Sequence, residues 1–250
     1  MSAKKLFGLV GKNIEYSFSR GYFSEKFDKL QLNDNSYVNF DLASIEEFPA
    51  VFDTHKETLQ GMNVTIPYKE DVGAFLDEID EEAAEIGAIN TIKIYKNGKR
   101  KGFNTDVYGF DQSIAPFIKD THKTALILGT GGASKAVAYA FKKRGISYKF
   151  VSRIPKDDNQ ISYENLSEKV ILETGIIVNC SPIGTHPDVD KHPNIPFQFL
   201  NDSHLLFDLI YNPSETAFLR KGKEQGASIA NGMKMLELQA EKSWEIWNRQ

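Results

Sequence analysis

The sequence has one cysteine, no long apolar segment and a net charge of only −4 in 250 residues. Cys180 has no second thiol for an intrachain disulfide, and no cysteine cluster could hold zinc or an iron–sulfur centre. No run approaches the about 20 apolar residues that span a bilayer. The apolar segment over 6–10 is shorter than the core of a signal peptide. We therefore expect a cytoplasmic protein with no membrane partner.

The charge balance argues against a nucleic-acid partner as well. The chain carries 30 Lys and Arg against 34 Asp and Glu, whereas proteins that bind nucleic acids usually present a basic face to the phosphates. Hydrophobic residues make up 41% and charged residues 26% of the chain. This composition is ordinary for a folded globular protein and excludes a disordered or fibrous chain. The length fits one large domain or two small ones.

Strand-like and helix-like patterns alternate along the chain, which favours an α/β architecture with mainly parallel sheets. In the first part, Ser44 can cap a helix and Asn97-Gly98 is a strong hairpin signal. The patterns predict strands there over 5–10, 37–42, 60–66, 88–95 and 99–103, and a helix over 81–86. The pattern restarts after a predicted helix over 107–117. The second part has predicted strands over 124–128, 148–152, 175–179, 205–209 and 227–230, and predicted helices over 134–143, 216–225 and 234–247.

A glycine-rich turn joins the predicted strand over 124–128 to the helix that follows it. Gly129 and Gly131 allow a tight turn and a close backbone approach to a pyrophosphate, which would lie at the helix N-terminus. Ser134 occupies the third position of the usual G-x-G-x-x-G pattern, so the strict pattern is broken. A purely structural turn therefore stays open beside a dinucleotide site.

The end of the next predicted strand bears on which dinucleotide would bind. Folds that bind NAD usually place an acidic residue there to bond the ribose 2′-hydroxyl, but this strand ends Tyr148-Lys-Phe-Val-Ser-Arg153. Arg153 could instead pair with a 2′-phosphate and stack on adenine, and Lys156 adds a positive charge nearby. We expect NADP rather than NAD. The alternative is that Arg153 is a solvated surface residue.

Polar residues in the first part of the chain follow predicted strands, where open α/β sheets place their ligand sites. Hydroxyl and amide groups suit a substrate with several hydroxyls, because each buried polar group needs a partner. Structural alternatives stay open: Ser17 and Ser19 can form a turn and a helix cap. Asn90 can make a strand-end bond, and Asn104 can be an ordinary loop residue. The set comprises Ser17, Ser19, Asn63, Thr65, Lys69, Asn90, Thr91, Asn104, Thr105 and Asp106.

Together and in order, these motifs resemble the shikimate dehydrogenase family over residues 8–247. The most diagnostic segment is Asn63-Val-Thr-Ile-Pro-Tyr-Lys69, which matches the family's N-V-T-x-P-x-K motif. The family's glycine turn has the form G-x-G-G-A, so the broken pattern at 129–133 is normal for it. The other matching segments lie at 16–19, 87–91, 102–106, 179–184, 208–213 and 232–239.

The resemblance implies a two-domain α/β fold. A substrate-binding domain over 1–104 would be completed by a C-terminal helix over 232–250, and a Rossmann-like NADP-binding domain would cover 105–231. It also implies the reversible, NADPH-dependent reduction of 3-dehydroshikimate to shikimate, in the biosynthesis of chorismate and the aromatic amino acids. The alternatives are an NAD-using quinate/shikimate dehydrogenase and a non-catalytic NADP-binding relative. We expect a small-molecule substrate, a monomer or homodimer, and no bound metal.

The resemblance also assigns roles to residues. Lys69 is the expected proton donor, and Asp106 is its expected partner. The adenosine segment departs from the family's common N-R-T motif because it reads Ser152-Arg153-Ile154, and Lys234 stands where a glycine is common. The expected substrate contacts are Ser17, Ser19, Asn63, Thr65, Lys69, Asn90, Asp106, Tyr211 and Gln239. The expected cofactor contacts are Gly129, Gly131, Gly132, Ala133, Ser152, Arg153, Ser181, Leu209, Gly232 and Met235.

Overall fold

The computed structural model describes residues 4–15 and 17–249. Contacts between Cα atoms divide the chain into two compact units. The first unit holds the described residues up to Thr105 and those from Ala240 onward, and the second unit holds Asp106–Gln239. The sequence placed the domain boundaries after residues 104 and 231. The assignment of substrate binding to one part and cofactor binding to the other stays a prediction.

The first unit is built on a six-stranded sheet with the order β2-β1-β3-β5-β6-β4. Strand β1 is parallel to β2 and β3, whereas β5 is antiparallel to both β3 and β6. Three of its five strand pairings are parallel and two are antiparallel, because β5 runs against both of its neighbours and is joined to β6 by the predicted hairpin. Gly98 in that hairpin has a φ of +83°, a conformation that suits glycine. The strands are β1 (Lys5–Gly11), β2 (Asn35–Asp41), β3 (Leu59–Val64), β4 (Glu78–Ile79), β5 (Thr91–Ile94) and β6 (Arg100–Phe103).

Three helices of the first unit are α1 (Phe18–Lys29), α2 (Phe48–His55) and α3 (Glu81–Ile86), with 3-10 turns at Ile45–Glu47 and Val72–Phe75. The prediction that the Ser44 side chain caps a helix is wrong. Its hydroxyl bonds to the Glu46 carboxylate, and the 3-10 turn begins without a side-chain cap. The strand predicted over 60–66 ends at Val64, because the chain then turns and the Tyr68 amide donates to the Thr65 carbonyl at 3.0 Å.

The second unit is built on a six-stranded sheet with the order β12-β11-β10-β7-β8-β9, in which every neighbouring pair is parallel. Counted along this unit alone, the order is 3-2-1-4-5-6 in reverse, as in doubly wound dinucleotide-binding folds. The sequence patterns missed β9 and α6, which are three and five residues long. The strands are β7 (Thr124–Leu128), β8 (Ser147–Ser152), β9 (Gln160–Ser162), β10 (Ile176–Asn179), β11 (Leu205–Asp208) and β12 (Ser228–Asn231).

The second unit contains α4 (Asp106–Ile114), α5 (Gly132–Arg144), α6 (Glu168–Leu172) and α7 (Ala217–Glu224). Short 3-10 turns lie at Ala115–Phe117, Tyr163–Asn165 and Phe197–Phe199. Every residue of β10 and β11 is buried, as expected for the central strands of a parallel sheet that is covered on both faces. In the described part of the chain, no helix combines the length and apolar character needed to cross a membrane.

Helix α8 (Met233–Asn248) starts in the second unit and ends in the first. In the first unit, the Trp247 ring packs against Phe7 and Phe23 at centroid distances of 5.0 and 5.2 Å. Its Nε1 donates to the Ile92 carbonyl at 2.9 Å. Gly61 makes room for this ring, because a Cβ there would lie 2.3 Å from it. The end of α8 is thus part of the aromatic core of the first unit.

Candidate active site

A buried network of uncharged side chains lies where β3 ends and β5 begins. We call it the neutral network; its members are Tyr37, Asn63, Asn90, Thr91, Thr105 and Ser243. Asn63 Nδ2 donates to Ser243 Oγ at 2.9 Å and to Thr91 Oγ1 at 3.3 Å. Asn63 Oδ1 accepts from the Tyr37 hydroxyl at 2.8 Å. All the polar atoms of Asn63 therefore face protein partners, which makes this side chain a brace for its neighbours.

Asn90 organises the other half of the neutral network. Its Oδ1 accepts from the Thr105 amide at 2.7 Å and lies 3.2 Å from the hydroxyls of Thr91 and Thr105. The Thr91 hydroxyl is 2.8 Å from Ser243 Oγ. Asn90 thus makes a hydrogen bond beside the end of a strand, which is the structural role given above as the alternative to substrate binding. The amide of Asn104 similarly donates to the Ala88 carbonyl at 2.9 Å.

Ser17 and Ser19 lie at the start of α1. Ser17 is the N-cap residue: its hydroxyl accepts from the Arg20 amide at 3.3 Å and donates to Asn39 Oδ1 at 3.2 Å. Ser19 is buried, and burial raises the pKa of the Tyr37 hydroxyl far above its usual value. Ser17 is therefore a helix cap, as the structural alternative from the sequence suggested. The first residue of the matching segment, Tyr16, lies outside the described residues.

Thr65 and Lys69 lie in the turn that follows β3. The Thr65 amide donates to the Val10 carbonyl at 2.8 Å, and a Cβ at Gly11 would lie 2.5 Å from the Thr65 methyl group. The Lys69 carbonyl accepts from the Ile89 amide at 2.7 Å. This bond fixes the backbone of Lys69 against the residue that precedes Asn90. The turn thus places Thr65 and Lys69 beside the neutral network.

Asp106 is the first residue of α4 and is buried. A carboxylate in the first turn of a helix is favoured by the helix dipole. One turn later, a Cβ at Gly109 would lie 2.6 Å from the Met235 carbonyl and 3.0 Å from Gln239 Cβ. The start of α8 therefore packs closely on the start of α4 and brings Met235 and Gln239 against it. Lys69 belongs to the first unit and Asp106 to the second.

The glycine turn after β7 leaves space in front of α5. Gly129 has a φ of +114°, which strongly favours glycine, and a Cβ at Gly131 would meet no atom within 4 Å. Gly131 is the N-cap residue, so the amides of Gly132 and Ala133 are among those that a helix leaves without an internal acceptor. Ser134 is buried, and its hydroxyl donates to the Gly131 carbonyl at 2.6 Å. The turn has the open amides and the space that a pyrophosphate needs. Ser134, which breaks the usual glycine pattern, stabilises the turn through its bond to the Gly131 carbonyl.

The turn meets the loop after β10. The Cys180 amide donates to the Leu128 carbonyl at 3.0 Å, and a Cβ at Gly129 would lie 3.4 Å from the Cys180 carbonyl. Strands β7 and β10 are the neighbours between which the strand order of this sheet reverses. Open α/β sheets bind their ligands in the crevice at such a point. Burial raises the pKa of the Cys180 thiol, so it is not a ready nucleophile.

Arg153 is exposed just beyond the end of β8. The hydroxyl of Ser152 accepts a bond at 3.2 Å from the backbone amide two residues later, which shapes the turn that carries the guanidinium. Lys156 is also exposed, but Asp157 and Asp158 follow it directly. The end of β8 therefore presents two cations and two carboxylates, and Arg153 is the cation nearest to the strand.

A second buried network surrounds a carboxylate. We call it the carboxylate network; its members are Asn179, Ser181, Asp208 and Thr216. Asp208 Oδ1 accepts from Asn179 Nδ2 and from the Ile210 amide, both at 3.0 Å. Asp208 Oδ2 accepts from Thr216 Oγ1 at 2.6 Å. Burial raises the pKa of Asp208 to about 6.

Three further predicted contacts lie around the carboxylate network. The Leu209 amide donates to the Asn179 carbonyl at 3.0 Å. A Cβ at Gly232 would lie 2.0 Å from the Leu209 carbonyl, so this approach requires glycine. Tyr211 is half-buried, and burial raises its pKa. The structure thus groups Ser181, Leu209 and Gly232 at the carboxyl ends of β10, β11 and β12.

Several residues of these networks were not predicted. Ser243 is buried on the face of α8 that also carries Trp247, so a lone serine on an apolar helix face was the available signal. Asp208 ends a strand whose other residues are all apolar, which is a comparable signal. In the described part of the chain, no three His, Cys, Asp or Glu side chains are grouped so that they could hold a metal ion.

Comparison with known proteins decides the family. The family described as the shikimate dehydrogenase substrate binding domain matches residues 9–92. A shikimate dehydrogenase (NADP(+)) of Methanosphaera stadtmanae is 37% identical over 257 residues, which are 96% of this chain and 90% of the relative. The chain belongs to the shikimate dehydrogenase family. The resemblance read from the motifs is confirmed.

Solved structures of shikimate dehydrogenases share the fold. Shikimate dehydrogenase 1 of Peptoclostridium difficile has a TM-score of 0.85 and 38% identity, with 97% of this chain and 91% of that chain covered. The shikimate 5-dehydrogenase of Thermus thermophilus, solved with NADP(H) and shikimate, has a TM-score of 0.85 and 28% identity, with 98% and 93% covered. The predicted α/β fold with a Rossmann-like part is confirmed.

Proposed function

We propose that this chain catalyses the reversible, NADP(H)-dependent reduction of 3-dehydroshikimate to shikimate. The observation that carries the proposal is the position of Lys69 in the turn after β3, where its carbonyl accepts from the Ile89 amide at 2.7 Å. That bond holds the backbone of Lys69 beside the neutral network. The relatives of this chain include shikimate dehydrogenases (NADP(+)).

In the proposed reaction, the Lys69 ammonium donates a proton to the substrate oxygen. The ketone carbon gains a hydride, negative charge develops on the oxygen, and the lysine proton completes the new hydroxyl. Asp106 is proposed as the partner of Lys69, because a carboxylate can accept from the ammonium and orient it. In the reverse direction, neutral Lys69 accepts the hydroxyl proton as the hydride leaves.

Hydroxyl and amide groups are proposed to recognise the substrate. Ser17 and Ser19 would bind its carboxylate with Tyr211, and Ser17 is held by its bond to Asn39. Ring oxygens would be contacted by Thr65, Asn90, Asp106 and Gln239. Asn63 would act through these residues, since all its polar atoms bond to the neutral network.

The second unit is proposed to hold the dinucleotide. The pyrophosphate would lie on the amides of Gly131, Gly132 and Ala133, and Gly129 would allow its close approach. Arg153 would pair with the 2′-phosphate, with Ser152 beside it. When bound, NADPH supplies the hydride that reduces the ketone. Ser181, Leu209, Gly232 and Met235 would line the ribose and nicotinamide.

An NAD-using quinate/shikimate dehydrogenase is the second candidate. It is favoured by one observation: Asp157 and Asp158 follow Arg153 and Lys156, so the segment that would meet a 2′-phosphate carries no net charge. Arg153 lies closest to the strand end and is the cation that would decide between the two cofactors.

The test is reduction of NADP⁺ at a fixed enzyme concentration with shikimate, with quinate and with no acid, repeated with NAD⁺. The proposal expects the largest kcat/KM with shikimate and NADP⁺. A larger value with quinate and NAD⁺ would favour the second candidate. Binding of NADP⁺ without turnover of either acid would identify a non-catalytic relative.

The same protein preparation can be used to measure the oligomeric state. The enzyme is proposed to act in the cytoplasm as a monomer or homodimer, with no macromolecular partner needed for turnover. Light scattering coupled to size-exclusion chromatography would give the mass of the active species. A mass above that of a homodimer would contradict this part of the proposal.

A further inference from the structure

Three segments of the chain bond to the carboxylate of Asp208: the end of β10, the loop after β11 and the start of α7. Asp208 accepts from Asn179 Nδ2 at 3.0 Å. Asn179 Oδ1 in turn accepts from the Ser181 amide at 3.0 Å and from the Ser181 hydroxyl at 2.7 Å, which ties the loop after β10 to Asp208. Through the Ile210 amide, also at 3.0 Å, it holds the loop after β11. Through Thr216 Oγ1, at 2.6 Å, it holds the start of α7. One side chain thus bonds to segments on both sides of the loop over 209–215.

The same loop is held from its other side by Gly232. Its amide donates to the Ile210 carbonyl at 3.2 Å, and its missing side chain lets the Leu209 carbonyl approach. The groups around Asp208 therefore include Ser181, Leu209 and Gly232, all proposed cofactor contacts. Asp208 itself is fully buried behind them.

Burying a carboxylate to make these bonds costs free energy. Asp208 is 0% exposed, and within the described residues no lysine, arginine or histidine lies within ion-pair distance of it. Burial raises its pKa to about 6, so the ionised form is disfavoured relative to a solvated aspartate. Stability alone does not explain a carboxylate at this position, because an apolar residue would avoid the cost of burying it. What this side chain supplies is hydrogen bonds to three different segments at once.

We propose that Asp208 is a positioning residue that holds the loop after β10 and the loop after β11 in one fixed arrangement, so that both are ordered before NADP(H) binds. The proposal rests on the proposed function for the identity of the cofactor. Its physical basis is that a loop ordered in advance loses less conformational entropy on binding. Asp208 acts through Asn179, Ile210 and Thr216 and does not touch the reacting atoms.

The first test compares two variants of the full chain without ligand. Asp208→Ala removes all three acceptor bonds, whereas Asp208→Asn keeps one oxygen for Asn179 and Ile210 and can donate to Thr216. Amide hydrogen exchange should be faster over 181–184 and over 209–215 in Asp208→Ala, and close to wild type in Asp208→Asn. Asp202→Ala is the matched control, because it removes an exposed carboxylate near the other end of β11.

The second test measures ligand affinity and kinetics. Asp208→Ala should raise the Kd for NADP⁺ and the KM for NADP⁺ by about tenfold, the size expected when one or two more side chains must be immobilised on binding. The value of kcat at saturating NADP⁺ should change less than KM. Asp208→Asn should restore most of the affinity.

A pair at Thr216 keeps the test available if Asp208→Ala does not fold. Thr216→Val removes the hydroxyl that donates to Asp208 and also the cap of α7, where Thr216 Oγ1 accepts from the Leu219 amide at 3.3 Å. Thr216→Ser keeps both bonds. Thr216→Val should weaken NADP⁺ binding and speed exchange over 209–215, and Thr216→Ser should behave as wild type.

In Asp208→Ala, faster exchange confined to one of the two loops would overturn the proposal, because the carboxylate would not then couple them. Unchanged exchange in both loops, or unchanged NADP⁺ affinity in a folded Asp208→Ala protein, would also overturn it. These results are separate from the proposed function. A wild type that binds NADP⁺ but does not oxidise shikimate contradicts the function, while the exchange experiment without ligand still decides the role of Asp208.

Discussion

The two units each bury a polar network at the ends of central strands, but the networks differ in charge. The neutral network of the first unit joins amides and hydroxyls around Asn63 and Asn90. The carboxylate network of the second unit is centred on an aspartate whose pKa is raised to about 6. Neutral groups that are fully bonded cost little to bury and do not titrate, whereas a buried carboxylate ties stability to pH. The first network lies beside proposed substrate contacts and the second beside proposed cofactor contacts.

The largest expected effect separates chemistry in the first unit from binding in the second. Lys69→Ala should lower kcat for shikimate oxidation by roughly 10²- to 10⁴-fold, the contribution of a positioned acid or base. Its Kd for NADP⁺, measured by titration, should stay close to wild type. Lys56→Ala, which removes an exposed lysine of the same unit, is the control. Near-normal turnover by Lys69→Ala would remove this lysine from the mechanism.

Breaking the neutral network should destabilise the first unit. Ser243→Ala removes the hydroxyl that accepts from Asn63 and contacts Thr91, and should lower the free energy of unfolding by about 1–3 kcal/mol. Urea unfolding followed by tryptophan fluorescence reports on this unit, because both tryptophans of the chain lie in the final turns of α8.

Ser24→Ala makes the same chemical change at an exposed position of α1 and should alter stability by at most about 0.5 kcal/mol. Equal losses in the two serine variants would mean that the neutral network adds nothing beyond its apolar contacts.

The carboxylate network should make the free energy of unfolding of the second unit decrease as the pH rises. The pKa of Asp208 is raised from 3.8 to about 6, so the folded state holds this proton more tightly than the unfolded state does. The stabilisation from Asp208 is therefore complete below about pH 4 and is lost as the pH rises through about 6. Relative to Asp208→Asn, the wild type should lose about 2 kcal/mol of unfolding free energy between about pH 4 and about pH 7.

Urea unfolding followed by circular dichroism at several pH values measures this difference. His122, also in the second unit, has a pKa lowered by burial and contributes with the opposite sign at low pH. Because His122 is present in both proteins, its contribution cancels in the comparison. Parallel pH profiles for the wild type and Asp208→Asn would contradict the prediction.

The smallest effect tests which dinucleotide the second unit selects. If Arg153 pairs with a 2′-phosphate from an exposed position, Arg153→Ala should raise the KM for NADPH by about fivefold, equivalent to about 1 kcal/mol. The KM for NADH should not change. Lys149→Ala removes an exposed cation from β8 itself and serves as the control. Equal increases for both nucleotides would show that Arg153 does not distinguish them.

Much of the second unit could be predicted from its sequence because its signals are local. Apolar runs, the glycines at 129 and 131 and the periodic helix over 134–143 predicted β7, the turn and α5 within one or two residues. Segments as short as β9 have too few residues to show a period. The antiparallel pairing of β5 with β3 joins strands that are distant along the chain, so neither the alternation of elements nor the hairpin signal could reveal it.

The polar networks could be predicted only in part. Motif resemblance singled out Asn63 and Asn90, but not the bonds that join them to Ser243, which lies 180 residues from Asn63 along the chain. Asp208 belonged to a matching motif, but its function as an acceptor for three segments depends on β10, β11 and α7 meeting in space. Such roles come from tertiary structure and leave no periodic pattern in the sequence.

The path of α8 has a consequence for synthesis of the chain. The bond from Trp247 to the Ile92 carbonyl joins residues 155 positions apart, with the whole second unit between them. A ribosome therefore makes all of the second unit before the first can complete its aromatic core. Until then Phe7 and Phe23 lack their tryptophan partner, and long-range closure of this kind slows folding. The first unit, although it is made first, is thus the last part of the molecule that can complete its core.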